Sequence, residues 1–218
     1  MINYVRTILC MFFLLGPALV PASAIATPPD SLAPPAGKVP WGFSLAGYYY
    51  AVPDEDGLLM AVARADRGSL HLEARYNYED MKTASVFAGW NFSAGESFAV
   101  DLTPMAGAAF GNTSGILAGL EASLGYGMLD FYAETEYLYN LEDRSENFLY
   151  SWLELAVTPT ALFRAGLTAQ RLRVFQTPLG IERGVFAQVM PGLVSVSAYV
   201  FNPLTESWYV VVGLVIEW

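Results

Sequence analysis

The chain has 218 residues, 54% of them hydrophobic and only 15% charged, and a formal net charge of −10. That charge excludes nucleic acid as a partner, because phosphates require a basic face. A single cysteine, Cys10, and a single histidine, His71, exclude a disulfide framework and a histidine-based metal cluster, so no metal and no cofactor is expected.

In chain order, residues 1–24 read as a secretory signal peptide. Arg6 gives the basic start, Ile8 to Val20 the apolar segment, and Ala22-Ser23-Ala24 a small-residue cleavage site. Residues 25–40, IATPPDSLAPPAGKVP, are proline-rich and lack periodicity, which predicts an extended tether. After the leader no apolar run reaches the roughly 18 residues a spanning helix needs. A chain this apolar with no such run has distributed its apolar residues by alternation.

From Trp41 onward, segments of alternating polarity are separated by turn signals. Twelve are predicted: 42–52, 58–66, 69–79, 83–93, 97–110, 115–125, 128–141, 147–157, 161–173, 183–190, 193–201 and 207–218. Ten remains the alternative if 58–66 and 183–190 are not strands. The gaps form two sets. PDEDG, EDMK, GNTSG, EDRSE, QTPLGIE and NPLTE are polar, whereas RGS, SAGE, GYG, TPT and PG are short and tight.

The last segment, SWYVVVGLVIEW, places Trp208, Val210, Val212, Leu214, Ile216 and Trp218 on one face. Ending on an aromatic residue, it resembles the terminal strand of Gram-negative outer-membrane β-barrels, in which that residue serves the assembly machinery. The resemblance covers residues 41–218 at the level of architecture. It implies an all-β, transmembrane, antiparallel up-and-down barrel of about twelve strands, and Trp218 as the assembly signal. It also implies contact with the lipid bilayer and lipopolysaccharide, and both termini on the periplasmic side. Long and short gaps then correspond to outer loops and periplasmic turns.

Aromatic placement separates this fold from a soluble sheet. Near the long loops the apolar faces carry Tyr49, Tyr76, Tyr78, Phe110, Tyr137, Tyr139, Phe175 and Trp208. Near the tight turns they carry Phe43, Trp90, Phe92, Phe98, Tyr126, Phe131, Phe163 and Trp218. Alanine, valine and leucine lie between. Two belts of rings about an aliphatic band match the two headgroup layers of a membrane.

The opposite faces carry most of the strand charge, acids outnumbering bases. Glu73, Arg75, Asp101, Glu121, Glu134, Glu136, Glu154 and Arg164 are the candidate lumen and constriction residues. Counting back from the turns places Glu134 near Glu154, Glu136 near Trp152, Glu154 opposite Arg164 and Glu121 beside Glu134. That predicts one belt of Glu121, Glu134, Glu154 and Arg164 and a second of Arg64, Glu73 and Arg75. Inner Tyr48, Tyr50, Tyr132, Tyr150, Trp152, Phe186, Tyr199 and Tyr209 fill volume. Two functions follow: a narrow passive channel for small cationic or neutral solutes, or a plugged structural or interaction barrel contacting lipopolysaccharide or a periplasmic partner, with no transport; a lipid-modifying enzyme is the least expected third. Lys82, Arg144, Arg171, Arg173 and Arg183 form a candidate basic rim for lipopolysaccharide phosphates. An enzyme is not expected. The outer-membrane phospholipases use a serine, a histidine and an asparagine facing lipid, and His71 is predicted to face inward near a tight turn, with no serine–histidine pair outward.

Overall fold

The computed structural model describes residues 39–174 and 180–218, with backbone alone for 172–174. The predicted signal peptide, most of the tether and Phe175 lie outside the described residues. Thirteen strands follow in order: β1 Gly42–Ala51, β2 Leu58–Arg67, β3 Leu70–Tyr76, β4 Thr83–Trp90, β5 Phe92–Ala94, β6 Phe98–Gly111, β7 Gly115–Tyr126, β8 Leu129–Asn140, β9 Phe148–Thr160, β10 Phe163–Val174, β11 Gly180–Val189, β12 Val194–Phe201 and β13 Tyr209–Glu217. β4 and β5 both pair with β6 and are two pieces of one strand interrupted at Asn91, so the wall has twelve staves. Segments 58–66 and 183–190 are both strands, which removes the ten-strand alternative.

Every neighbouring pair is antiparallel, and β1 pairs with β13 to close the cylinder. Closure pairs each long strand on both sides and leaves only the three-residue β5 with a single neighbour, as a strand-built membrane span requires. The seam is extended past the strand ends by reciprocal backbone bonds between Phe43 and Trp218, 2.9 and 3.0 Å long. Phe43 also stacks on Trp218, with centroids 5.9 Å apart.

Alternation is inverted relative to a soluble protein. The outward positions of mid-strand residues are apolar and bare: Leu120, Leu155 and Leu167 are 43%, 53% and 60% exposed. Inside, tyrosines, ion pairs and hydrogen-bonding groups are packed among apolar side chains such as Met60, Leu117, Leu138 and Phe201. Water gives no reason for this arrangement, whereas hydrocarbon outside and polar groups within satisfy both surfaces.

Four of the five tight turns use a residue with positive φ at a glycine, as at Gly68 and Gly127. The fifth differs from expectation. Thr158, Pro159 and Thr160 lie within β9, and the turn is Ala161–Leu162 between Thr160 and its partner Phe163. A second difference is Tyr78, predicted outward but fully buried. β3 ends at Tyr76, and Asn77 adopts φ 56°, a left-handed conformation that asparagine tolerates. Asn77 Oδ1 accepts the Lys82 backbone N–H at 2.7 Å, and its amide donates to the Leu59 carbonyl at 3.0 Å. This local turn rotates Tyr78 into the lumen.

Candidate functional site: a charged and aromatic lumen

β2, β3, β7 and β8 bring the lumen charges together. Arg64 on β2 donates to Glu73 on β3 and reaches across to Glu121 on β7. Arg75 on β3 donates to Glu73 through Nε, and its Nη1 lies 3.0 Å from Glu134 Oε1 and 2.8 Å from Glu136 Oε2, both on β8. The Tyr78 hydroxyl donates to Glu134 at 2.8 Å. Arg75 is sandwiched between rings, its guanidinium 4.1 Å from the Tyr78 centroid and 4.5 Å from that of Phe87. A planar guanidinium suits both tasks, offering several donors in its plane and a weakly hydrated face to the rings.

A second cluster is centred on Arg164. It bonds Asp130 through Nε and Nη2, and Glu154 through Nη1 at 2.6 Å. Glu154 also accepts from the Trp152 indole and the Tyr199 hydroxyl, each at 3.0 Å. Beside it runs an aromatic wall in which Phe186 stacks on Tyr199, Phe201 on Tyr209 and Tyr209 on Tyr50, with centroids 4.9 to 6.2 Å apart.

The register revises the counted neighbours. Glu121 does stand opposite Glu134. Glu134, however, faces Trp152, and Glu136 faces Tyr150, a shift of two residues caused by an off-centre loop between β8 and β9. Glu154 is opposite Thr168, because β9 continues to Thr160 and a register break flanks Arg164; the Arg164 side chain nevertheless reaches Glu154. The two expected belts are not separate. Arg64 and Arg75 lie on β2 and β3, but their partners Glu121, Glu134 and Glu136 lie on β7 and β8, so the bonds run across the lumen. Asp101 stands apart, accepting from Ser93 at 2.5 Å.

At mid-height the lumen is occupied by side chains. Glu134, Glu136, Tyr150 and Trp152 are all fully buried. Not every polar atom there is matched by protein: Arg75 Nη2, Glu134 Oε2, Glu136 Oε1 and the Tyr132 hydroxyl are buried without a hydrogen-bond partner. Below this neck, at the end carrying both described termini, a cavity of about 540 Å³ opens between Arg64, Glu121, His71, Asp101 and Glu217.

The described basic residues of the expected rim sit at separate places around one end of the barrel. Arg171 and Arg183 lie on neighbouring strands with outward parity, each paired to an apolar position. Arg144 is in the short helical turn between β8 and β9, stacked 5.7 Å above Tyr139. In that loop the Ser145 hydroxyl and backbone N–H both donate to Asp143, holding its carboxyl below the ordinary range. Lys82 is exposed on the far side, between β3 and β4. The Arg173 side chain lies outside the described residues.

No family model matches the chain, and no curated protein does. Solved structures do. A KdgM porin superposes with a TM-score of 0.59 at 10% identity, over 79% of this chain and 98% of its own. A KdgM porin in complex with disordered oligogalacturonate gives 0.58 at 8% identity, with the same coverage. The fold is that of an outer-membrane β-barrel. The expected antiparallel twelve-strand architecture is therefore met, in a barrel of porin-like shape. At this identity the likeness concerns the path of the chain, and the lumen chemistry must be read from its own residues.

Proposed function

We propose that the protein is a narrow outer-membrane channel that favours small cationic and neutral solutes. The observation that supports this reading is the charge imbalance among the ion pairs of the lumen as a whole. Six carboxylates, of Glu73, Glu121, Asp130, Glu134, Glu136 and Glu154, meet three guanidiniums, of Arg64, Arg75 and Arg164. Excess carboxylate in a constriction raises the local cation concentration and opposes anions. A polyanion such as the oligogalacturonate of the KdgM complex would meet the wrong field here.

Purified protein in planar bilayers should show small, cation-preferring conductance steps. Neutralising the neck with Glu134→Gln and Glu136→Gln should lower the cation/anion permeability ratio by roughly twofold or more. An unchanged ratio removes these residues from the role. Full burial of Tyr150, Trp152 and Glu134 favours a second reading, a barrel closed by its own side chains with a structural or interaction role. Folded protein that gives no conductance step would select it.

Two partners follow from the outer surface. Arg171 and Arg183, and Arg144 in the β8–β9 loop, suit lipopolysaccharide phosphates if both termini are periplasmic, since these arginines lie at the opposite end of the barrel. Trp218, stacked on Phe43 at the seam, suits recognition by the assembly machinery. Trp218→Ala should then reduce outer-membrane yield in cells several-fold. Refolding in detergent, which loses only about 0.5–1.5 kcal/mol of ring contact, should change little. Equal losses in both settings would reduce Trp218 to a packing residue.

A further inference from the structure

The cavity at the terminal end has a chemistry distinct from that of the neck. Four carboxylates line it, those of Asp66, Asp101, Glu121 and Glu217, against one guanidinium, Arg64. Arg64 is already committed to Glu73 and Glu121. Among the described residues the half-buried Glu217 has no ion-pair partner.

His71 supplies an independent indication of a ligand. It lines the cavity and is only 3% exposed. Asp66 Oδ1 lies 2.9 Å from Nδ1 and also accepts from the Asn91 amide at 2.8 Å. An ionised carboxylate can only accept, so Nδ1 carries a proton towards Asp66, and the tautomer with a neutral ring then presents a lone pair on Nε2. That Nε2 is buried and has no hydrogen-bond partner; the Glu73 carboxylate, 4.0 Å away, has no proton to offer it. A buried acceptor without a donor is costly, by about 1–3 kcal/mol. For that tautomer the group that completes the site is a hydrogen-bond donor, and the surrounding carboxylates favour a positively charged one.

We propose that this cavity binds small organic cations bearing a protonated primary amine, with His71 Nε2 accepting an ammonium N–H and Asp101, Glu121 and Glu217 holding the charge. Atomic metal ions fit less well: among the described residues no three metal-ligating side chains converge. The site belongs to the mouth and stands whether or not the neck conducts.

Calorimetric titration of the folded barrel in detergent with 1,4-diaminobutane tests this, with glutarate as the anionic control of similar length. Saturable binding of the diamine and none of glutarate is expected. The Asp101→Asn, Glu217→Gln double variant should bind the diamine roughly tenfold more weakly, the effect of one charged hydrogen bond. Should that variant fold poorly, Glu217→Gln alone, at a strand end and half-exposed, should still weaken binding measurably. Equal binding of diamine and glutarate, or an affinity unaltered by these substitutions, would overturn the proposal. Because binding is read at equilibrium, a barrel that is silent in bilayers leaves the result interpretable.

Discussion

Arg75→Ala is expected to cost about 3–5 kcal/mol of folding stability. Arg75 is almost fully buried and touches three carboxylates, Glu73, Glu134 and Glu136, the last two themselves without exposure. Deleting the guanidinium leaves three acids facing one another with Arg64 as the remaining base nearby, so like-charge repulsion adds to desolvation. It also removes the cation held between Tyr78 and Phe87. Urea unfolding of the detergent-refolded barrel, followed by the heat-modifiable shift in gel mobility, measures the loss. Restoring charge balance should restore stability: Arg75→Met combined with Glu134→Gln and Glu136→Gln should recover most of it, because a buried ionic cluster can be replaced by groups needing less solvation. A loss under about 1 kcal/mol for Arg75→Ala would mean that the cluster is well hydrated and behaves as a surface pair does.

The contrast between wall and lumen explains what the sequence makes legible. Which face a residue takes depends only on parity along its strand, so Tyr48, Tyr132, Trp152 and Tyr199 are read as inward from the pattern alone, and all are buried. Parity fails where the backbone leaves the strand. Asn77 does so by adopting a left-handed conformation, and Tyr78 turns inward with it. Asparagine at that position is compatible with either conformation, so composition cannot decide. Register is less legible than face. Thr158-Pro159-Thr160 has turn composition yet continues β9, because its outer edge needs only the bonds a proline still allows. Moving the turn to Ala161–Leu162 displaces every partner along the hairpin.

Contacts across the lumen are the least legible. Arg64 and Glu121 are 57 residues apart, and Arg75 and Glu136 are 61 apart. Their meeting depends on the width and tilt of the closed barrel, which no local window encodes. The Asp66–His71 pair is close in sequence but equally hidden. It spans the Gly68 turn, where β2 and β3 set the two residues directly opposite. Histidine in that segment reads only as an inward polar residue until the register is known.

The premise beneath all of this is that hydrocarbon surrounds the barrel, and Leu120→Arg tests it directly. Leu120 lies midway along β7, outward and 43% exposed, between Pro104 and Thr135 on the adjacent strands. In lipid, an arginine at that depth should destabilise the barrel by about 2–4 kcal/mol, falling to about 0–1 near the interface. Ile116→Arg supplies the interfacial comparison, since Ile116 is also outward but one residue from the start of β7. Unfolding titrations of both variants in lipid vesicles should therefore differ by roughly 2 kcal/mol or more, with Leu120→Arg the weaker. Were water the solvent outside, both sites would be ordinary surface positions, and both substitutions would fall within about 0.5 kcal/mol of the parent. Depth dependence is the decisive signal, because a general loss from an ill-fitting side chain would affect the two positions alike, whereas only a bilayer makes the cost rise toward its centre.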